Sequence, residues 1–105
     1  MPDASDAIHE RPAELLRDLI RFDTTNPPGN EFDCIAYIDR LIHQAGLETR
    51  IVARERERPN LIARLAGRGQ APPLLLYGHV DVVTTERQRW THPPFEAVEE
   101  GGYLW

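Results

Sequence analysis

Leu74-Leu75-Leu76-Tyr77-Gly78-His79-Val80-Asp81 is the stretch on which the fold and the chemistry of this chain turn. A continuous apolar run, set off by Pro72-Pro73 before it and Gly78 after it, suits a central strand buried on both faces. His79 and Asp81 follow two residues apart at its C-terminal end. Side chains at i and i+2 share one face of extended chain, so both can point into one cleft. In open α/β sheets that edge is where ligands bind. A metal-binding imidazole must be neutral and keep one lone pair for the metal. A carboxylate accepting from the other ring N–H fixes that tautomer. Gly78, lacking a side chain, leaves room for backbone or metal nearby. His-x-Asp is a short pattern, however, and on its own it also fits a small α/β domain in which the pair is incidental.

Outward from this stretch the periodicity is helical on one side. Leu15, Leu16, Leu19 and Ile20 form an apolar stripe in a helix expected over Arg11 to Phe22, with Pro12 in its first turn. Asp23-Thr24-Thr25-Asn26-Pro27-Pro28-Gly29 breaks it. Asn26 and Thr24 are read as makers of turn hydrogen bonds. A second helix is expected to start at Asn30 as N-cap, with Glu31 favouring the positive helix end and Asp33 in a capping-box-like place. Its stripe is Cys34, Ile35, Ile38, Leu41, Ile42 and Ala45, and Gly46 supplies the left-handed end with Leu47 packing back. The period then changes to two. Thr49, Ile51 and Ala53 share a strand face, Asn60 to Ala66 forms a second strand, and the alternating Arg54-Glu55-Arg56-Glu57-Arg58 is a solvated turn between them. From Val83 onward the chain reads as loop, until Tyr103-Leu104-Trp105 begins another strand. The expected fold class is α/β: two helices, then a mixed sheet with a buried central strand, incomplete as a domain. Residues 1–10 are expected to be a flexible N-terminus, and 11–105 part of a catalytic domain.

Composition narrows the partners. At 105 residues a compact fold buries roughly 60–70% of its unfolded surface, enough for one modest core. The net charge of −5, with all 12 basic residues Arg, gives no clustered cationic footprint for nucleic acid. No apolar stretch is long enough to span a membrane. The N-terminus lacks a signal-peptide pattern, so the cytoplasm is the expected compartment. The one cysteine, Cys34, excludes an internal disulfide and reads as a small buried hydrophobe. His92 is read as a surface loop residue, and His9 and His43 as exposed. Trp90 and Phe95 are expected to pack the loop against the sheet edge. Gly67-Arg68-Gly69 lacks the spacing of a phosphate-cradling loop.

The segment Leu75-Leu76-Tyr77-Gly78-His79-Val80-Asp81-Val82-Val83 resembles the first metal-ligand motif of a zinc metallopeptidase family. That family includes aminoacylases, acetylornithine deacetylases, succinyl-diaminopimelate desuccinylases and glutamate carboxypeptidases. Three more segments resemble it in the same order: Arg21 to Glu31, Trp90 to Ala97, and Gly101 to Trp105. The resemblance spans about residues 12–105. It implies that His79 binds one metal of a two-zinc site, with cobalt or manganese as possible substitutes. It implies that Asp81 takes part in catalysis by orienting His79, not as a ligand. It further implies an N-acyl amino acid or short peptide as substrate, and a homodimeric full-length parent. The motif with the aspartate that bridges both metals would follow Trp105. The adjacent glutamates, a further acidic ligand, a late histidine and the lid domain are absent from this sequence as well. The rival expectation is therefore a truncated, inactive fragment or a binding module.

Overall fold

The computed structural model describes residues 8–105. Of the N-terminal segment, residues 1–7 lie outside the described residues, and Ile8–Glu10 form one 3-10 turn. Helix α1, Pro12–Ile20, follows with Pro12 in the first turn, where its missing N–H is no loss. It covers the whole apolar stripe but ends before the expected Phe22: the chain leaves the helix at Arg21, and the Phe22 N–H reaches back to Leu19 O at 3.3 Å. Helix α2, Phe32–Gln44, starts one residue later than Asn30 as N-cap would have it. Glu31 is the N-cap residue, yet no side chain caps the helix, because its carboxylate is engaged elsewhere. The far end of α2 closes as its sequence indicates. Gly46 has φ +83°, its N–H bonds His43 O at 2.9 Å, and Leu47 N–H bonds Ile42 O at 3.2 Å. That double closure satisfies carbonyls the last turn would leave orphaned.

The helices are tied by a hydrogen bond from the Tyr37 hydroxyl to Asp18 Oδ2 at 2.7 Å, and by the Phe22 and Tyr37 rings at 5.6 Å. Cys34 and Ile35 on α2 are buried, as the stripe requires. Burial also pushes the Cys34 thiol pKa up, with the Glu31 charge adding to it.

Strands β1, Thr49–Val52, and β2, Asn60–Ala63, form an antiparallel hairpin with Thr49 opposite Ala63 and Val52 opposite Asn60. The Arg-Glu repeat makes its connection. β2 ends at Ala63, short of the expected Ala66; continuing the register would set Arg64 to Ala66 opposite Glu48 to Gly46, where α2 closes. Strands β3, Glu99–Glu100, and β4, Tyr103–Leu104, form a second hairpin about Gly101 and Gly102, whose φ values of +62° and +81° only glycine adopts cheaply. The fold is α/β with two helices and two small antiparallel sheets.

Two expectations are corrected. No mixed sheet forms among the described residues; the parallel element is a single bridge between Thr25 and Val82. Leu74 to Tyr77 is not a buried central strand: these residues are not in a strand and their exposures are 83%, 82%, 82% and 94%. An apolar run is buried on both faces only when strands flank it and layers cover it. The β1–β2 hairpin pairs with itself and leaves the run unflanked. Among the described residues the buried apolar side chains are Cys34, Ile35 and Ala97, none of them large and fully enclosed.

Candidate active site around His79 and Asp81

The segment after Gly78 is held by the turn between the helices. Thr24, which is buried, donates its hydroxyl to Val80 O at 2.6 Å. Val82 N–H bonds Thr24 O at 3.2 Å, and Asn26 N–H bonds Val82 O at 2.8 Å. Asp23 Oδ1 shapes the same turn, accepting from the Thr25 N–H at 3.1 Å and the Thr25 hydroxyl at 2.6 Å. Thr24 and Asn26 therefore do more than close a turn: they anchor residues 80–82 across more than fifty positions of sequence.

Within this frame Asp81 accepts from three directions. Oδ1 lies 2.8 Å from His79 Nδ1, and Oδ2 accepts from Asn26 Nδ2 at 3.0 Å and Arg58 Nη2 at 3.3 Å. These donors favour the ionised form, so the Asp81 carboxyl sits below the ordinary carboxylate range, with the Asn26 amide as the first cause and the His79 ring next. His79 Nδ1 also lies 3.0 Å from the Asp81 main-chain oxygen. A carbonyl oxygen and an ionised carboxylate only accept, so Nδ1 carries the ring proton and donates. In the neutral ring Nε2 then keeps its lone pair, on a side chain that is 83% exposed. Gly78 has no atom of the described residues within 4 Å of where a Cβ would sit, so no close backbone approach in this chain demands glycine there.

Arg58 and Glu31 are the residues that sequence reasoning missed. Arg58 lies at the end of the alternating run read as solvated. Its guanidinium donates from Nε and Nη2 to Glu31 Oε1, at 3.1 and 2.9 Å, while Nη2 also reaches Asp81. The Glu31 carboxylate holds the Arg58 pKa above its ordinary value, its hydrogen bond first and its charge next. Glu31 is buried, and its second oxygen, Oε2, has no hydrogen-bond partner among the described residues. Gly29 makes the approach possible: a Cβ there would lie 2.6 Å from Arg58 Nε. Nothing in the alternation singles Arg58 out, since Arg56 of the same run is also placed, over the Phe32 ring at 4.9 Å.

The remaining histidines divide. His9 and His43 are exposed as expected. His92 is not a surface residue; its side chain is mostly covered, lies 2.9 Å from Glu100 and sits against the Trp105 ring at 5.2 Å. The second hairpin brings that carboxylate close. Trp90 is half-exposed and donates to Thr85 O at 3.0 Å; it and Phe95 line an apolar cleft with Val82 and Leu19.

A zinc site needs three or more protein ligands. Among the described residues no cluster of three His, Cys, Asp or Glu side chains is placed to hold a metal ion. The donor set here fits one imidazole ligand with its supporting carboxylate, and these residues alone do not complete a site.

The exposed His79 imidazole is thus backed by the Asp81 carboxylate at 2.8 Å, and comparison with known proteins adds what the chain is similar to. The chain is 36% identical over 93 residues, 88% of its length, to a probable succinyl-diaminopimelate desuccinylase of Staphylococcus aureus (strain Mu50 / ATCC 700699). It is 37% identical over 95 residues to the succinyl-diaminopimelate desuccinylase of Paracoccus denitrificans (strain Pd 1222). Over these residues the chain is similar to the succinyl-diaminopimelate desuccinylases. It spans 22% of the first relative's length and 24% of the second's. No protein-family model and no solved structure matches it.

Proposed function

We propose that this chain is part of a metal-dependent hydrolase that cleaves an amide bond of an N-acyl amino acid or short peptide with a metal-activated water. The observation that carries this is the His79–Asp81 contact at 2.8 Å with the ring facing outward, in a chain similar to desuccinylases. In it His79 offers Nε2 as one metal ligand. Asp81 keeps the Nδ1 proton in place, which holds the lone pair on Nε2 and raises the basicity of the ring. A bound zinc, or cobalt or manganese in its place, would supply a water of lowered pKa and polarise the scissile carbonyl. The relatives' names make an N-succinyl diamino acid the first substrate to try.

The other ligands and the proton-transferring carboxylate belong, on this proposal, to the part of the relatives' length that these residues do not span. Strands from that part would also flank and cover Leu74 to Tyr77. The 105 residues alone are then inactive, and hold zinc weakly or not at all. No helix among the described residues is long and apolar enough to cross a membrane, and we take the cytoplasm as the compartment. A homodimeric parent completes the proposal.

The test is hydrolysis of a panel of N-acyl amino acids, N-succinyl diamino acids included, by the full-length protein that carries these residues. Amide hydrolysis lost with a chelator and restored by zinc is expected. Hydrolysis that is indifferent to chelation, or none across the panel with metal bound, overturns the proposal.

A further inference from the structure

We propose that Arg58 is a positioning residue for His79: anchored on buried Glu31, its guanidinium fixes Asp81 in the orientation that holds the His79 ring. This rests on the functional reading above and goes beyond it, because Arg58 touches neither His79 nor the expected metal.

The geometry is a chain of directed contacts. Glu31 Oε1 takes two donors from Arg58, so the planar guanidinium is held in a fork rather than by one flexible contact. The Glu31 side chain is only 8% exposed, at the start of α2, and its main-chain N–H bonds Glu57 O at 2.8 Å, which ties the anchor to the hairpin. From this fixed fork Nη2 extends to Asp81 Oδ2, at 3.3 Å, the oxygen that Asn26 also holds. Asp81 Oδ1 is then turned toward His79 Nδ1. Without the guanidinium, Oδ2 keeps a single amide donor. The carboxylate can then rotate about its Cβ–Cγ bond and trade oxygens. The exposed imidazole then keeps only the Asp81 main-chain oxygen, at 3.0 Å, as a fixed acceptor for Nδ1–H. Gly29 is part of the device, since any side chain there would displace Arg58.

The test uses the full-length protein, zinc as the probe, and the variants Arg58→Met, Arg58→Lys, Glu31→Gln, Asp81→Ala and His79→Ala. Zinc affinity is measured by competition with a chromophoric chelator. Asp81→Ala is expected to weaken zinc binding about 10–100-fold, the usual loss when a partner of a metal ligand is removed, and Arg58→Met by more than about twofold but less than Asp81→Ala. Arg58→Lys should recover part of this, because an ammonium can meet a carboxylate but not span two. In an Asp81→Ala background, Arg58→Met should change affinity by less than about twofold, since its route to His79 is gone. A second readout needs no metal: long-range proton–nitrogen spectra of the metal-free protein should show the Nδ1–H tautomer of His79, and lose it in Arg58→Met. Should that variant not fold, Glu31→Gln and Arg58→Lys carry the same two readouts. Wild-type affinity and tautomer in the Arg58 variants, or equal losses with and without Asp81, overturn the proposal. Unchanged zinc binding in His79→Ala instead overturns the functional reading beneath it.

Discussion

Gly29 and Gly46 share a backbone φ of +83° but differ in what surrounds them, which turns one substitution into a measurement of the Arg58 anchor. In Gly46→Ala the new Cβ meets no atom within 4 Å, so the cost is conformational only. Left-handed backbone costs a residue with a Cβ about 1–2 kcal/mol. Stiffening the unfolded chain returns about 0.4–1 kcal/mol of that. Gly46→Ala should therefore lose ~1 kcal/mol. In Gly29→Ala the same strain applies, and the Cβ also falls 2.6 Å from Arg58 Nε and 2.9 Å from Cζ. A long side chain in open solvent would simply swing away. Here the guanidinium is committed to Glu31 and Asp81, so moving it breaks at least one charge-assisted hydrogen bond beside a buried carboxylate. The loss in Gly29→Ala should therefore exceed the ~1 kcal/mol of Gly46→Ala by whatever that bond contributes. Urea unfolding followed by circular dichroism reads both variants, and Arg58→Ala supplies the control. In that background Gly29→Ala should fall to the Gly46→Ala level. Equal losses for the two glycines with Arg58 in place would refute the reasoning, since the clash would then cost nothing.

Two further predictions concern pH. The Tyr37 phenol is pushed up to about 12, by burial first and then by its hydrogen bond to Asp18 and that carboxylate's charge. A raised folded value favours the protonated phenol, so this contribution is complete below pH ~10, the unfolded value, and is lost between there and about 12. The urea midpoint should fall over that interval in the wild type and fall less in Tyr37→Phe; identical curves would contradict it. Asp81 behaves oppositely. Its folded pKa is lowered, so its contribution is present above about pH 4 and disappears as pH falls through the lower folded value. Asn26→Ala removes the leading cause, and should make the acid-side loss of stability shallower; an unchanged acid limb would count against the assigned role of the amide.

What was legible in the sequence follows from how local each signal is. The end of α2 could be read because Gly46 and Leu47 complete a closure within five residues of its last turn. The β1–β2 hairpin was legible from its period of two and the charged run between its arms. The His79–Asp81 contact was legible because i and i+2 share a face. Arg58 was not, because its two partners lie 27 and 23 residues away and nothing in an Arg-Glu alternation says which arginine turns inward. His92 was misread for the same reason: its carboxylate arrives through a hairpin formed downstream. Leu74 to Tyr77 failed differently. The apolar run states correctly that it favours burial, but burial on two faces depends on neighbouring strands that its own residues cannot specify.

The most direct test of the account is the zinc bound per molecule of the full-length protein, wild type against His79→Ala, after dialysis against a weak chelator. Two ions in the wild type and at least one fewer in the variant, with the fold intact by circular dichroism, are expected. Equal zinc content in the two proteins would mean that the ring at position 79 holds no metal.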